Sequence, residues 1–432
     1  MQAVILAGGQ GTRLKSVNAL VAKPMMPIGT KPLLEHQVEL LKSFGIREII
    51  ILVNHLKDSI QSYFEDGSKW GVKISYYEEA VPLGTVGGVK AIENQINDDF
   101  LVIYGDVMFS MDLQRLIHFH QQKKSDCTLV LHPNDHPYDS DLVDVDQVSK
   151  ITAFHSKPHS PDRYYRNLVN AGVYLFSKKV FDFLEKDKKA DFGKDIFPNL
   201  VNRLNMFGYN TSEYLKDMGT PDRLEQVTAD LLSGKIEARN LKYKQAAIFL
   251  DRDGVLNVDH PYISTPEMLE LFSFTPSAIK KINHSNFLAI VITNQPVVAR
   301  NLCTEEGLQI IHNKLDTLLG NERAKLDALY YCPHHPDKGF PDENPAYKID
   351  CPCRKPKPGM LLDAARDFNI DLSASFMIGD DERDIAAGKT AGVKTIGVRS
   401  GKGLRGSKLQ PDYLFENVIE AIDFITQSST IK

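Results

Sequence analysis

The sequence has little excess charge of either sign and no long apolar run. Its 432 residues include 51 Lys and Arg against 56 Asp and Glu, which gives a net charge of −5 and a pI near 6.2. This balance does not provide the basic surface that nucleic-acid binding needs. No apolar run approaches the length of about eighteen residues that a membrane span requires. We therefore expect neither a nucleic-acid nor a membrane role.

Cysteine is also scarce, and the beginning of the sequence shows no targeting signal. The five Cys are an odd, clustered set, which predicts reduced thiols and a local metal site. Met1 leads directly into the apolar stretch Gln2–Leu6, which we interpret as a first core strand and not as a targeting peptide. These features predict a cytoplasmic protein. There is no tandem repeat or low-complexity segment.

The composition that remains is that of a globular protein with more than one core. Hydrophobic residues make up 42% and charged residues 25%, and the length predicts two domains. Short apolar runs alternate with amphipathic ones, as in repeated βα units. The predicted fold class is α/β, with two domains that each form a mostly parallel sheet covered by helices. The predicted boundaries are 1–235 for the first domain, 236–245 for a linker and 246–432 for the second domain.

A glycine-rich turn follows the first predicted strand. Gly8, Gly9 and Gly11 lack side chains, so the backbone N–H groups around them can close on phosphates, and Thr12 and Arg13 follow directly. Arg13 would add a bidentate donor. Glycine-rich turns often bind no anion, so this turn alone does not decide whether a phosphate binds here.

Six short motifs then occur in a family-specific order up to about Leu232. They are Gly8 to Leu14, Lys23 to Pro27, Leu83 to Thr85, Tyr104 to Asp106, Asn170 to Gly172 and Asp217 to Pro221. This part of the chain resembles the sugar-1-phosphate nucleotidyltransferases, particularly their mannose- and heptose-1-phosphate guanylyltransferase branch. The resemblance implies that a sugar phosphate attacks the α-phosphorus of a nucleoside triphosphate, and that pyrophosphate leaves without a protein nucleophile.

The resemblance also implies roles for individual residues. Mg²⁺ would lie between Asp106 and Asp217, Arg13 and Lys23 would bind the triphosphate, and Lys157 would hold the sugar phosphate. The further substrate or nucleotide contacts would be Glu79, Gly84, Thr85 and Asn170. The alternative for Glu79 is a solvated side chain, and the alternative for Asn170 is a structural residue at the start of a strand. Relatives commonly carry an acidic residue just before that Lys, where this chain has Ser156.

Two carboxylates mark the start of the second half. Asp251 and Asp253 follow the apolar run Ala246–Leu250, and would emerge together at the carboxyl end of a strand, where open α/β sheets bind ligands. Asp251 could attack a phosphoryl group, Asp253 could protonate the leaving oxygen, and a divalent metal could neutralise the phosphate. A polar turn after a buried strand is the alternative.

Three later segments complete a phosphoryl-transfer set. Thr293, Asn294 and Gln295 end a second apolar run, and a hydroxyl or amide there can bind the transferring group. Arg354 and Lys355 supply cations, and Asp380 ends a third strand. The four motifs occur in the order found in the haloacid dehalogenase phosphatases, which this part of the chain resembles. The resemblance implies Mg²⁺ at Asp251, Asp253 and Asp380. The spacing of the motifs leaves no room for a large cap domain.

Three thiols and an imidazole lie between these segments. Cys332, His334, Cys351 and Cys353 are a closed tetrahedral donor set for a structural Zn²⁺ ion. Buried free thiols or a disulfide are the alternatives, and His335 could replace His334.

The region from about Ala246 to Phe424 is similar, more narrowly, to heptose 1,7-bisphosphate phosphatases. The stretch from Asp259 to Tyr262 carries this resemblance, because the related histidinol phosphate phosphatases typically lack it. It makes Asp259, Tyr262, Asn294, Gln295 and Arg354 candidate substrate contacts. Pro296 and Asp381 depart from the heptose pattern.

Both resemblances together imply a bifunctional enzyme of GDP-heptose synthesis. The second domain would remove the C7 phosphate of D-glycero-D-manno-heptose 1,7-bisphosphate, and the first would transfer GMP from GTP to the heptose 1-phosphate, with the α-anomer preferred. The partners would be these small molecules, with a homo-oligomer left open. The alternatives are a hexose-1-phosphate nucleotidyltransferase fused to a phosphatase of another small phosphomonoester, such as histidinol phosphate, and a non-catalytic ligand-binding regulator.

Overall fold

The computed structural model describes residues 1–9, 21–54, 56–79 and 81–429. The chain forms two compact units. Unit 1 comprises Met1–His132, Ser140–Lys157 and Leu168–Asn240, and unit 2 comprises Pro133–Asp139, Pro158–Asn167 and Leu241–Lys432. Sequence reasoning did not foresee that two short segments of the N-terminal half belong to unit 2.

Unit 1 is built on a nine-stranded mixed sheet with helices on both sides, and its described residues also form two separate two-stranded sheets. Its strands are β1 Gln2–Leu6, β2 Pro27–Ile28, β3 Lys31–Pro32, β4 Glu48–Val53, β5 Lys73–Glu78, β6 Phe100–Tyr104, β7 Val107–Ser110, β8 Cys127–His132, β9 Leu142–Val145, β10 Ile151–His155, β11 Val169–Phe176, β12 Met206–Asn210 and β13 Tyr214–Asp217. Its helices are α1 Leu33–Ser43, α2 Lys57–Phe64, α3 Gly84–Ala91, α4 Leu113–Lys123, α5 Phe197–Leu200, α6 Pro221–Leu232 and α7 Lys235–Ala238.

The strands next to the glycine-rich turn are parallel to one another. Strands β6, β1, β4 and β5 lie side by side in that order, and Leu6 pairs with Leu52 on one side and Tyr104 on the other. The carboxyl ends of β1 and β6 therefore lie at one edge. The continuously apolar β1 and β6 are buried on both faces, as their sequences predict. β11 joins β6 in the antiparallel direction, which the sequence pattern did not reveal.

Unit 2 contains a six-stranded sheet in which every pairing is parallel, in the order β16-β15-β14-β17-β18-β19. Its strands are β14 Ala246–Leu250, β15 Phe287–Asn294, β16 Ala328–Cys332, β17 Phe376–Gly379, β18 Lys394–Val398 and β19 Tyr413–Phe415. Its helices are α8 Thr275–His284, α9 Glu305–Asn321, α10 Gly359–Asp367, α11 Glu382–Ala391 and α12 Val418–Ser429.

Apolar side chains cover both faces of the second sheet. Helices α8, α9 and α12 contribute to the core on one face, and α10 and α11 contribute to the core on the other. The prediction of two α/β domains with helix-covered, largely parallel sheets is confirmed. Among the described residues, none of the helices combines the length and the apolar composition needed to cross a membrane.

Candidate active sites

The glycine-rich turn of unit 1 begins directly after β1. Gly8 and Gly9 lie there, whereas Gly11, Thr12 and Arg13 fall outside the described residues. Next to Gly8 lies Glu79, which is 9% exposed and has an Oε1 atom without a hydrogen-bond partner in the described structure. Burial raises the pKa of Glu79, and nearby backbone N–H groups lower it in part. One of the two carboxylate oxygens is therefore without a partner among the described residues.

Two predicted metal carboxylates lie at neighbouring positions of the short β7–β13 ribbon. Asp106 immediately precedes β7, Asp217 pairs with Val107 in the antiparallel register, and the Met218 N–H donates to the Asp106 carbonyl. Lys23 Nζ lies 2.5 Å from Asp106 Oδ2. The structure thus brings Lys23, Asp106 and Asp217 to one place.

An arginine that sequence reasoning missed binds one of these carboxylates. Nη1 of Arg223, from the first turns of α6, lies 2.8 Å from both Oδ1 and Oδ2 of Asp217. Only the fold reveals this pair, because an Arg six residues downstream of an Asp has no special spacing in sequence. Arg223 thus holds the Asp217 carboxylate in place.

Gly84 and Thr85 are used by the fold itself. Gly84 has a positive φ of +77°, and a Cβ atom there would lie 2.2 Å from the carbonyl oxygen of Ala190. The Thr85 hydroxyl donates to Asp191 and accepts from the Phe192 N–H. Both residues tie the start of α3 to a neighbouring loop.

The remaining predicted contacts of unit 1 lie on and around β11. The Asn170 amide donates to the Tyr174 hydroxyl at 3.0 Å. The Lys157 N–H donates to Asp141, and the Ser156 hydroxyl donates to the Gly193 carbonyl. Ser156 is therefore engaged with the backbone, and Asp141 brings a carboxylate next to Lys157.

In unit 2, the strand ends bring together three carboxylates and a lysine. Oxygen atoms of Asp251, Asp380 and Asp384 all lie within 4.8 Å of one another. Lys355 Nζ is 2.8 Å from Asp251 Oδ1 and 2.6 Å from Asp384 Oδ1, and its side chain is only 2% exposed. Sequence reasoning placed the acidic run from Asp380 to Asp384 at the metal site but chose only Asp380 from it as a ligand. The available signal for Asp384 was its position four residues after Asp380, one turn into the helix that follows the strand.

The carboxylate cluster carries more negative charge than Lys355 balances. Burial, opposed by Lys355 and reinforced by Asp384, raises the pKa of Asp251 to about 6. Burial and the carboxylates of Asp251 and Asp384 raise the pKa of Asp380 to about 8. Gly254, with φ of +81°, and Gly401 leave room for Asp380, since a Cβ on either would lie within 2.5 Å of its Oδ2. Three neighbouring carboxylates with excess negative charge fit Mg²⁺, which prefers oxygen ligands.

The Asp253 carboxylate takes a different direction from the other three. It binds the guanidinium of Arg252, whose side chain is fully buried, and accepts further hydrogen bonds from Asn257 and Gln295. Burial alone would raise the pKa of Asp253, but the Arg252 charge and these hydrogen bonds lower it overall. Asp253 thus lies beside the candidate metal ligands Asp251, Asp380 and Asp384, and its carboxylate is held in the ionised form. Sequence reasoning did not single out Arg252.

The polar residues at the end of β15 support their neighbours. Asn294 donates from its amide to the Lys355 carbonyl and accepts from the Lys355 N–H, each at 3.0 Å. The Gln295 amide donates to the Thr293 hydroxyl and to Asp253. Thr293 is 1% exposed. Asn294 and Gln295 therefore position Lys355 and Asp253.

These groups open into a cavity of about 390 Å³. The predicted contacts Asp259, Tyr262 and Arg354 line it, together with Thr293, Asn294 and Gln295. Asp381, one of the two departures from the heptose pattern, binds Arg383 through two hydrogen bonds of 2.9 Å and Lys402 at 3.0 Å. Lys402 thus brings a cation next to Asp381.

The cysteine-rich segment forms a compact cluster at the end of β16. The Sγ atoms of Cys332, Cys351 and Cys353 lie 3.1 to 3.4 Å apart, and His334 Nδ1 lies 3.5 Å from Cys353 Sγ and 3.7 Å from Cys332 Sγ. These separations exclude a disulfide, whose sulfur atoms would be about 2.05 Å apart. Three thiols and one imidazole can bind zinc. His335 does not belong to this group and lines the cavity.

Comparison with known proteins assigns both halves of the chain to enzyme families. Residues 2–234 match the family model described as nucleotidyl transferase, and residues 352–421 match the one described as HAD-hydrolase-like. The first match covers more than half of the chain, which therefore belongs to the nucleotidyl transferase family, and its C-terminal part is a phosphatase of the haloacid dehalogenase type.

Individual relatives narrow the second assignment. The chain is 39% identical to the D-glycero-beta-D-manno-heptose-1,7-bisphosphate 7-phosphatase of Pasteurella multocida, over 40% of this chain and 93% of that protein. The C-terminal part belongs to the family of that phosphatase. The resemblance predicted for each half is confirmed at the level of the family.

The N-terminal relatives differ in the nucleotide that their names state. The chain is 32% identical to the mannose-1-phosphate guanylyltransferase of Mycobacterium tuberculosis and 33% identical to the UTP–glucose-1-phosphate uridylyltransferase of a Synechocystis species, over 54% and 55% of this chain. The chain spans 65% of the length of each of these two proteins.

Proposed function

We propose that the chain is a bifunctional enzyme that dephosphorylates D-glycero-D-manno-heptose 1,7-bisphosphate at C7 and transfers GMP from GTP to the resulting heptose 1-phosphate. The observation that carries the proposal is the arrangement of Asp251, Asp253 and Lys355 around one cavity, in a chain whose other half is a nucleotidyl transferase. The product of one reaction is the substrate of the other, which gives the fusion a chemical reason.

The phosphatase step would use Asp251 as the nucleophile. Its Oδ1 accepts hydrogen bonds from Lys355 and the Arg252 N–H, so Oδ2 would attack phosphorus and form a phosphoaspartate. Asp253 would protonate the leaving C7 oxygen and then take a proton from the water that hydrolyses the intermediate. The hydrogen bonds to Asp253 favour its ionised form, which accepts the proton from water. The negative charge of a bound phosphate would raise the pKa of Asp253 and so favour the protonated form, which protonates the leaving oxygen.

Magnesium would be held by Asp251, Asp380 and Asp384, and would neutralise the charge of the phosphoryl group. In unit 1, Asp106 and Asp217 would hold a second Mg²⁺ ion and Lys23 would bind the triphosphate. Zinc at the three thiols and His334 would be structural, because four protein donors leave no position for water.

The heptose substrate is supported by Asp259 and Tyr262, which belong to the sequence stretch that distinguishes heptose bisphosphate phosphatases and which line the cavity. Histidinol phosphate remains the alternative substrate, and a side-by-side assay of both compounds separates them. The phosphatase relative is named for the β-anomer, whereas the guanylyltransferase branch implies the α-anomer. Both anomers belong in the assay.

Guanine is supported by the buried Glu79 carboxylate. Guanine presents two neighbouring N–H donors, N1–H and N2–H, that one carboxylate can accept together, whereas uracil presents a single N–H donor on its pairing edge. Glu79 lies next to Gly8, and its Oε1 atom has no hydrogen-bond partner among the described residues. A hexose 1-phosphate remains the alternative sugar for this half.

The test is a reaction of the purified full chain with heptose 1,7-bisphosphate, Mg²⁺ and each nucleoside triphosphate in turn, followed by mass spectrometry. We expect phosphate release with every nucleotide, and GDP-heptose with pyrophosphate only with GTP. Binding of substrate without any turnover would instead support a non-catalytic regulator. Cytoplasmic location and self-association remain predictions for cell fractionation and sedimentation.

A further inference from the structure

Asp141 lies between two of the predicted sugar contacts of unit 1. Leu142, the first residue of β9, pairs with His155 at the end of β10. The preceding residue, Asp141, accepts the Lys157 N–H at its Oδ1 atom and the Asn170 N–H at its carbonyl oxygen, at 3.2 and 2.9 Å. The Asp141 carboxylate is therefore fixed at the point where β9, β10 and β11 meet.

Strand β11 connects this point to the candidate metal carboxylate of unit 1. Gly172, on β11, has a positive φ of +72°, and a Cβ atom there would lie 3.1 Å from the ring of Tyr104. Tyr104 is the last residue of β6 and comes two residues before Asp106. Asp141 is thus joined, through the start of β11, to the carboxyl end of the strand that leads to Asp106.

Two carboxylates of this region differ in the number of hydrogen bonds that the fold gives them. Asp191 accepts from the Thr85 hydroxyl at Oδ2 and from two backbone N–H groups at Oδ1, so the fold uses both of its oxygen atoms. Among the described residues, Oδ2 of Asp141 accepts no hydrogen bond. Gly193 leaves room for this atom, because a Cβ atom there would lie 2.5 Å from it. Since a carboxylate can accept about four hydrogen bonds, Asp141 has capacity for a ligand.

The residue before Lys157 supplies no charged acceptor in this chain. Ser156 stands where relatives commonly carry an acidic residue, and its hydroxyl donates to the Gly193 carbonyl at 3.0 Å. Ser156 and the Asp141 carboxylate therefore lie on either side of the same glycine. A carboxylate from β9 thus lies beside the position from which relatives present one on β10.

We propose that Asp141 accepts hydrogen bonds from two neighbouring ring hydroxyl groups of the sugar 1-phosphate, and that it sets the sugar specificity of unit 1. This inference rests on the proposed nucleotidyl transfer. Hydroxyl groups on adjacent carbons can donate together to one carboxylate, and hydrogen bonds to an ionised acceptor are stronger than neutral ones. A sugar that lacks one of the two hydroxyls would leave a carboxylate lone pair unused, and the site would reject that sugar.

The test compares heptose 1-phosphate with analogues that lack the hydroxyl at C2, C3 or C4. Pyrophosphate release with GTP and Mg²⁺ is measured for the full-length wild type and for Asp141→Asn, which keeps an acceptor for the Lys157 N–H but loses the charge. We expect kcat/KM for the parent sugar to fall about 10- to 100-fold, while KM for GTP changes less than about 3-fold. For the analogues of two adjacent positions the same substitution should cost about 5- to 10-fold less, because one hydrogen bond is already missing. The third analogue should behave like the parent sugar.

Two further variants separate a lost contact from a damaged fold. Gly193→Ala should displace Asp141 Oδ2 and give the same pattern of losses across the sugars, since the new Cβ atom would occupy its place. Asp146→Asn is the matched control, because Asp146 is exposed, lies directly after β9 and also accepts backbone N–H groups. The fluorescence of Trp70, which lies in unit 1, verifies that each variant is folded.

An equal loss on the parent sugar and on every analogue in the folded variants would overturn the inference, because Asp141 would then act on something other than a sugar hydroxyl. Unchanged kinetics in Asp141→Asn would overturn it as well, while leaving the nucleotidyl transfer intact. A wild type that releases no pyrophosphate with any sugar 1-phosphate would refute the proposed transfer and the inference with it.

Discussion

Two substitutions that should both abolish phosphate release are expected to differ in their effect on stability. Asp253→Asn removes the only carboxylate that pairs with the guanidinium of Arg252 in the described structure. That side chain is fully buried, and Nη1 already lacks a partner. Breaking a buried ion pair costs about 3–5 kcal/mol. Because Asp253 is 24% exposed and Asn can still accept one hydrogen bond, we expect a loss of about 2–4 kcal/mol in the free energy of unfolding.

Asp251→Asn removes a charge from a site that has too many of the same sign. The pKa of Asp251 is raised to about 6 in the folded state, so its ionised form opposes folding, and this cost is fully present above pH 6. A shift of this size corresponds to at most about 3 kcal/mol. The Asn variant also loses an ion pair with Lys355, which keeps Asp384 as a partner. At pH 7.5 without Mg²⁺, we expect stability to be unchanged or to rise by up to about 2 kcal/mol.

The measurement is thermal unfolding of the full chain in Mg²⁺-free buffer without a chelator, so that the proposed zinc ion is not removed. The single tryptophan, Trp70, lies in unit 1. Its fluorescence therefore follows unit 1, and a circular dichroism transition to which it does not respond belongs to unit 2. Asp253→Asn should lower the midpoint of that transition by about 5–15 °C. Equal midpoints for the two variants would refute the assigned charge balance, and a shift in the Trp70 signal would show that the effect is not confined to unit 2.

Three further predictions follow from the separate sites. Asp106→Asn should abolish pyrophosphate release from GTP and heptose 1-phosphate but leave phosphate release unchanged, because its carboxylate lies in unit 1; loss of both activities would contradict independent sites. Glu79→Gln should lower kcat/KM for GTP by about 10- to 100-fold while the value for UTP changes little, and an equal loss with both nucleotides would exclude recognition of guanine. Cys351→Ser should reduce bound zinc from about one ion per chain and lower the unit 2 midpoint, as measured by elemental analysis and circular dichroism; unchanged zinc content would exclude this cysteine as a ligand.

The sequence predicts most of the framework of both sites because the strands that carry them are continuous apolar runs. The ends of β14, β15 and β17 follow directly from such runs, so the positions of Asp251, Thr293 and Asp380 at one sheet edge could be anticipated. The Cys332 to Cys353 cluster could be anticipated from spacing and ligand chemistry. The side-chain partners could not, because they depend on the direction in which each side chain points.

Several polar residues show this limit. Thr85, Asn170 and Asn294 are expected as ligand contacts from their motifs, yet their hydrogen bonds go to Asp191, to Tyr174 and to the backbone of Lys355. A hydroxyl or amide satisfies a buried neighbour as readily as a ligand. Conversely, Arg252 lies between two motif residues and would be taken for a solvent-exposed charge, although it is one of the largest fully buried side chains.

The parallel order of the second sheet has a consequence for how the protein is made. β14 pairs with β17, and Ile248 lies opposite Phe376, so 376 − 248 = 128 residues must be translated before this central strand gains that neighbour. At about 5–20 residues per second, the ribosome needs about 6–26 s for this stretch. During that time the backbone N–H and C=O groups on the β14 edge that faces β17 stay unpaired and its apolar side chains are incompletely covered, which makes nascent chains of unit 2 candidates for chaperone binding. Ribosome stalling before Phe376 should accordingly produce chains that bind chaperones and lack phosphatase activity.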